Sequence, residues 1–252
     1  MPGGRAAAIV NRLAVHGLGG VGKTRAAVEY AWRFADDYTA LLFVSARSVP
    51  EVRTNLANLV EVLGVKADGM AVDKQMAAAL DWLYGHPGWL LIIDNVDTTD
   101  VVCEVEERLT KLRLGHVLIT SRIAHWPAGV QRLDLDVLAP EASVEFLLER
   151  TPQRRNTADD GVQAAEVARK LGGLALALEQ AAAYVDTMGY SFAEYLQQWE
   201  AKRSEVLGWH DPGLMQYPAS VAITWETSFA QLAAPAKRLL EVLAWLAPEP
   251  IP

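Results

Sequence analysis

The chain has 252 residues, of which 51% are hydrophobic, so it can form one large domain or two to three small ones. Its formal charge is −8, from 23 basic and 31 acidic residues, and no dense cluster of Lys and Arg occurs. This balance argues against a nucleic-acid partner, because binding to a phosphate backbone relies on a basic surface.

Three features bear on where the chain resides. It contains no run of 18 apolar residues and does not begin like a secretory signal, so we expect no membrane partner. Its single cysteine, Cys103, cannot form an internal disulfide, which suits a reducing cytoplasm, and we expect it to be a partly buried small side chain. The last residues, 247–252, end without a polar tail, as expected for a piece of a longer protein.

The first half of the chain alternates short apolar runs with segments of helical periodicity. Strands are predicted over residues 12–16, 40–45, 88–96, 115–121 and 131–135. Helices are predicted over residues 25–34, 51–63, 73–84 and 100–112. This alternation predicts an α/β fold with a wound parallel sheet, which binds its ligand at the carboxyl ends of the strands.

The second half shows only helical periodicity. Helices are predicted over residues 141–150, 158–171, 174–188, 191–199, 218–230 and 234–247, with a loop at 209–213 as a second boundary. We therefore predict an α/β nucleotide domain over 1–137, a small helical domain over 138–211 and the opening of a third helical unit over 212–252.

The segment between the first strand and the first helix reads Gly-Leu-Gly-Gly-Val-Gly-Lys-Thr. It matches the phosphate-binding (Walker A) pattern, with Gly17, Gly22, Lys23 and Thr24 at the fixed positions. Glycines let consecutive backbone N–H groups point at phosphate oxygens. Lys23 would neutralise the β- and γ-phosphates, and the hydroxyl of Thr24 would bind Mg²⁺. The spacing therefore predicts a site for a nucleoside triphosphate.

Two later strands end in residues that suit the same site. Asp94 ends an apolar run and would hold Mg²⁺ through its water shell. Asn95 follows it, at a position where many ATPases of this general kind carry an acid that polarises the attacking water. An amide cannot accept a proton, so slow hydrolysis is predicted. Arg122 follows the next strand, where a guanidinium can detect a γ-phosphate.

In this order, the motifs resemble the NB-ARC ATPases of the STAND class. Residues 16–24, 90–97 and 117–122 are similar to the family's phosphate loop, metal-binding strand and sensor strand. Residues 137–151 are similar to the start of its first helical (ARC) subdomain, and residues from 220 onward to the start of its winged-helix subdomain.

Residues 171–185 resemble the Gly-Leu-Pro-Leu-Ala motif of the family, with Ala175 in place of the proline that normally packs near the adenine. The family's hydrophobic-Gly-Arg-Glu segment, which helps to enclose the base, is absent from residues 1–11, and its winged-helix histidine is not included.

The resemblance implies an ADP- and ATP-binding switch that uses Mg²⁺. Lys23, Asp94 and Arg122 are expected to act on the phosphates, and Thr24 and Asp94 on the metal. The residues expected to contact the nucleotide are Gly17, Leu18, Gly19, Gly20, Val21, Gly22, Lys23, Thr24, Arg25, Leu174 and Ala175. The resemblance also implies further domains, such as the rest of the winged helix and TPR repeats, and a homo-oligomer in the ATP state.

Two alternatives remain open at this point. One is a P-loop ATPase or kinase that turns over many times, and the other is a nucleotide-gated transcriptional regulator. A GTPase is disfavoured because the chain has no Asn-Lys-x-Asp guanine signature. Elsewhere, Glu104, Glu106 and Glu107 are expected on a solvated helix face.

Overall fold

The computed structural model describes residues 12–67, 69–199 and 234–243. Five parallel strands form one sheet in the order β2-β3-β4-β1-β5. They are β1 Arg12–His16, β2 Ala40–Ser45, β3 Trp89–Asp94, β4 His116–Ser121 and β5 Gln131–Asp134. The predicted wound parallel sheet is confirmed. Because β4 lies between β1 and β3, whatever follows β4 is next to whatever follows β1 and β3 at the carboxyl edge.

The helices lie close to where periodicity predicts them. In the first part of the chain they are α1 Lys23–Arg33, α2 Val49–Val62, α3 Val72–Gly85 and α4 Thr99–Leu109, with a 3₁₀ turn at Ala35–Asp37. Cys103 on α4 is exposed, so the prediction that it is partly buried is wrong. Every helix in the described ranges is too short or too polar to span a lipid bilayer.

Strand β3 is buried on both faces, as its continuous apolar run predicts. Trp89, Leu91 and Ile93 join a core with side chains of α2, α3 and α4. Leu90 and Ile92 face the other way and pack with two alanines of α1. Helices thus pack on both faces of β3, and in wound sheets of this kind ligands bind at the carboxyl ends of the strands.

The acidic face of α4 differs from the prediction. Glu104 is only 6% exposed and accepts hydrogen bonds from Nε of Arg53 (2.9 Å) and Nε of Arg108 (3.0 Å). Glu106 pairs with the buried Arg12 at 3.0 Å. The hydrogen bond from Arg53, assisted by Arg108, lowers the pKa of Glu104 although burial opposes it. Periodicity predicts which residues share a helix face, but it does not predict that α2 and β1 place arginines against that face.

A second compact unit contains Gly19–Val21 and the described residues from Val137 onward. Its helices are α5 Pro140–Arg150, α6 Asp160–Lys170, α7 Ala175–Met188, α8 at residues 192–199 and α9 Ala234–Leu243. Leu147, Val167 and Leu178 are fully buried in this unit. The three-part domain division stays a prediction, and the helix expected at 218–230 and the loop at 209–213 lie outside the described residues.

Candidate functional site

The loop between β1 and α1 takes a backbone conformation that requires glycine. Gly20 has a φ of 82° and Gly22 a φ of 105°, values that side chains with a Cβ rarely adopt. Gly22 is also the N-cap of α1, and no described side chain caps this helix. The first N–H groups of α1 therefore keep the partial positive charge that attracts a phosphate.

The ammonium group of Lys23 lies inside this loop. Its Nζ donates to the carbonyl oxygens of Gly17 and Leu18, both at 2.8 Å. Burial lowers the pKa of Lys23 from the ordinary 10.5; the charges of Asp97 and Asp94 act in the opposite direction, and that of Arg122 adds to the lowering. The charged residues at the ends of β3 and β4 are thus within electrostatic reach of the ammonium.

Asp94, at the end of β3, is 5% exposed and accepts three hydrogen bonds. Its Oδ1 accepts from the hydroxyls of Thr24 and Thr120, both at 2.6 Å, and its Oδ2 accepts from Nδ2 of Asn95 at 2.8 Å. The two residues predicted to serve Mg²⁺ are therefore in direct contact. Carboxylate and hydroxyl oxygens at this spacing fit the oxygen-only ligand preference of Mg²⁺.

Thr120 was missed by the sequence prediction. Its hydroxyl donates to Asp94 and accepts the backbone N–H of Asn95 at 3.0 Å, so it ties the end of β4 to the end of β3. The available signal was a hydroxyl residue two positions before Arg122 on a strand predicted to lie beside β3.

Asn95 has a φ of 65°, and it is the one non-glycine residue with positive φ in the described part of the chain. Asparagine tolerates this left-handed conformation better than most residues. The conformation turns the Asn95 amide onto Asp94, where it donates a hydrogen bond. An amide engaged in this way cannot take a proton from water.

Arg122 follows β4 and forms an ion pair with Asp97, whose Oδ2 lies 3.1 Å from its Nε. The backbone N–H of Arg122 donates to Oδ1 of the same carboxylate at 2.8 Å. Asp97 follows β3 by three residues and was not among the predicted site residues.

The residues predicted to contact the nucleotide also include Leu18, Arg25, Leu174 and Ala175. Leu18 is 68% exposed, and Arg25 pairs with Glu29 one turn further along α1 at 3.5 Å. Leu174 precedes α7 and Ala175 is its first residue, both in the second unit. Their contact with adenine stays a prediction.

The chain is similar in sequence to a curated NLR-like protein. No family model matches the chain. The chain is 29% identical over 211 residues to a nucleotide-binding leucine-rich repeat (NLR)-like protein of Hyaloscypha variabilis; the match covers 75% of this chain and 21% of that protein. The chain thus spans about a fifth of the length of this relative.

Among solved structures, the chain is similar to a signal transduction ATPase with numerous domains (STAND) from Pyrococcus horikoshii that carries a tetratricopeptide repeat sensor. That match has a TM-score of 0.47 and 16% identity, and covers 94% of this chain and 32% of that one. The replication initiator DnaA, solved with AMPPCP and single-stranded DNA, matches with a TM-score of 0.50 and 14% identity, over 79% of this chain and 61% of that one. At this identity the DnaA match is one of fold.

The wound sheet is that of an α/β P-loop NTPase, and the segments predicted to be the phosphate loop, the metal-binding strand and the sensor strand follow one another along the chain. The chain thus has the fold of an α/β P-loop NTPase and is similar in sequence to part of a nucleotide-binding NLR-like protein.

Proposed function

We propose that this chain is the core of a molecular switch that binds ADP or ATP with Mg²⁺ and hydrolyses ATP slowly. The observation that supports the proposal is the meeting of Lys23, Thr24, Asp94 and Arg122 at the carboxyl edge of the sheet. Thr24 and Asp94 are in direct contact, and the charge of Asp94 raises the pKa of Lys23 while that of Arg122 lowers it.

Each residue would have a separate task. Lys23 would exchange the carbonyls of Gly17 and Leu18 for phosphate oxygens, which offer a charge-assisted hydrogen bond in place of a neutral acceptor. Thr24 and Asp94 would hold Mg²⁺, which when bound neutralises charge that develops on the β- and γ-phosphates. The loop amides would bind the remaining phosphate oxygens.

Arg122 would distinguish ATP from ADP, because it follows the strand that lies between the loop strand and the metal strand. A group that contacts only the γ-phosphate can shift an equilibrium between two states of the protein. We propose that ADP favours a closed arrangement of the domains and that ATP favours an open one that forms a homo-oligomer. Further domains outside this chain, TPR repeats among them, would supply the signal and the output.

Asn95 supports slow rather than rapid hydrolysis. Its amide donates to Asp94 and so offers no base to the attacking water. We therefore expect steady-state turnover below about one per second, the lower end of typical enzyme rates. Turnover well above that rate would favour an ATPase that works through many cycles.

The binding proposal is tested with Lys23→Ala, using Lys74→Ala as the matched control because Lys74 is exposed on α3. Loss of a hydrogen bond to a charged group should weaken the affinity for MgADP and MgATP by about 10- to 150-fold. Isothermal titration calorimetry on both variants measures this. Unchanged affinity in Lys23→Ala, or no binding of either nucleotide to the folded wild-type protein at millimolar concentration, would refute the proposal.

A further inference from the structure

The turn that follows β3 is fastened to the end of β4. The backbone N–H of Val96 donates to the carbonyl of Thr120 at 3.0 Å, and the hydroxyl of Ser121 donates to the carbonyl of Val96. With the bond from Asn95 to the hydroxyl of Thr120, three contacts already fix how the two strand ends lie. Residues 95–97 and 120–122 therefore form one locally rigid element.

Asp97 belongs to the same element, and both oxygens of its carboxylate contact Arg122. Oδ1 accepts the backbone N–H of Arg122 and Oδ2 lies 3.1 Å from its Nε. The side chains are 13% and 27% exposed, so the pair is partly shielded from solvent. One carboxylate thus holds both the main chain and the guanidinium of Arg122.

The geometry of the ion pair indicates that Asp97 orients the guanidinium of Arg122 rather than keeping it from a ligand. Nε is the guanidinium nitrogen nearest to the backbone, and a carboxylate bound there fixes the plane in which the two terminal nitrogens lie. A side chain whose geometry is set before binding loses less conformational freedom when its ligand arrives.

We propose that Asp97 is a positioning residue that orients Arg122 and thereby sets the preference of this site for nucleotides that carry a γ-phosphate. The inference rests on the sensor role proposed above for Arg122. Asp97 would not contact the nucleotide; it would act through Arg122.

A role through charge alone predicts the opposite sign. ATP carries more negative charge than ADP, so removing a nearby carboxylate would improve ATP binding more than ADP binding. If Asp97 acts by orienting Arg122, removing its charge should instead reduce the preference for ATP. The direction of the change therefore separates the two roles.

The test compares Asp97→Asn with Arg122→Ala and with the double variant, and uses Asp100→Asn as the matched control. Asparagine keeps an oxygen that can accept the Arg122 N–H but loses the charge that orients Nε. Asp100 is exposed on α4, so its variant removes the same charge away from the pair. Calorimetry gives the dissociation constants of MgADP and Mg-AMPPCP for all five proteins, and their ratio is the readout.

We expect Asp97→Asn to lower the AMPPCP preference by about 3- to 10-fold, the range expected when one side chain is no longer held in advance. ADP affinity should stay within about 3-fold, which also shows that the variant is folded. In the Arg122→Ala background, Asp97→Asn should produce no further decrease, and Asp100→Asn should leave the ratio unchanged.

Three results would overturn the inference: a ratio that Asp97→Asn leaves unchanged, one that it raises, or one that it lowers equally without Arg122. If Arg122→Ala itself does not alter the ratio, the proposed sensor role fails and this inference fails with it. If Arg122→Ala lowers the ratio and Asp97→Asn does not, only the role of Asp97 is refuted.

Discussion

Asn95→Asp should destabilise the protein, although many ATPases of this general kind carry an acid at this position. In the structure, Nδ2 of Asn95 donates to Oδ2 of Asp94 at 2.8 Å. A carboxylate at position 95 would place two negative charges at that distance. Aspartate and asparagine both tolerate a left-handed φ, so the substitution changes charge rather than backbone strain.

The size of the effect follows from two limits. Two like charges 2.8 Å apart repel by about 6 kcal/mol at an effective dielectric constant of about 20. The introduced carboxyl group can avoid this by taking up a proton, which for an ordinary pKa of about 3.9 costs about 4 kcal/mol at pH 7 and about 1.5 kcal/mol at pH 5. Once protonated, it can donate to Asp94 as the amide does. We therefore expect a loss of about 2–4 kcal/mol at pH 7 that shrinks to at most about 1.5 kcal/mol at pH 5.

Urea unfolding followed by tryptophan fluorescence, at both pH values and without nucleotide, measures these free energies of unfolding. Faster hydrogen exchange of the β3 backbone amides in Asn95→Asp would show that the loss of stability arises in the sheet. Asn95→Gly is the control: it loses the amide hydrogen bond, relieves the left-handed conformation and adds no charge, so its smaller loss should not depend on pH. A loss below about 1 kcal/mol for Asn95→Asp at pH 7, or one equal at the two pH values, would refute the reasoning.

Two further predictions concern the sheet and α4. Gly115→Ala should cost about 1–3 kcal/mol or more in urea unfolding, because an added Cβ would overlap the ring and carbonyl oxygen of Trp89, whereas Gly85→Ala, which has open space, should be neutral or stabilising. Glu104→Gln should cost about 1–2 kcal/mol at pH 7 and Glu107→Gln almost nothing, since Glu107 is exposed. Because the folded pKa of Glu104 is lowered, its contribution exists above the unfolded pKa of about 4.3 and fades as pH falls through the folded value. A gap between the Glu104→Gln variant and wild type that persists in acid would contradict this assignment.

The sheet was predictable because its signals are local. A run such as 88–96 indicates a buried strand by its apolar residues alone, and a loop such as 17–24 indicates phosphate binding by its spacing alone. Neither depends on what packs against it. Strand ends were predictable to within two residues for the same reason, as the observed β3 over Trp89–Asp94 shows.

The partners of the site residues were not predictable in this way. Asp97 lies 25 positions from Arg122, and Thr120 lies 26 positions from Asp94. Which turn faces which strand end depends on the strand order, and periodicity carries no information on order. Glu104, away from the site, shows that such partners cannot be predicted from the local sequence, because Arg53, which forms an ion pair with it, lies on another helix.

The strand order would link the proposed metal site to the proposed phosphate sensor. Since β4 lies between β1 and β3, Thr120 is in register with Val15 of β1 and also donates to Asp94 of β3. Arg122, two positions later, pairs with Asp97 after β3. Residues two apart in a strand point to the same face, but β4 ends at Ser121, so the contacts of Arg122 with Asp97 define its position instead. A change in the ligands of Asp94 would therefore act through the hydroxyl of Thr120 on the same short segment that carries Arg122. In this arrangement the proposed switch would need no long pathway between the proposed metal site and the proposed sensor, because two hydrogen-bonded strand ends already join them.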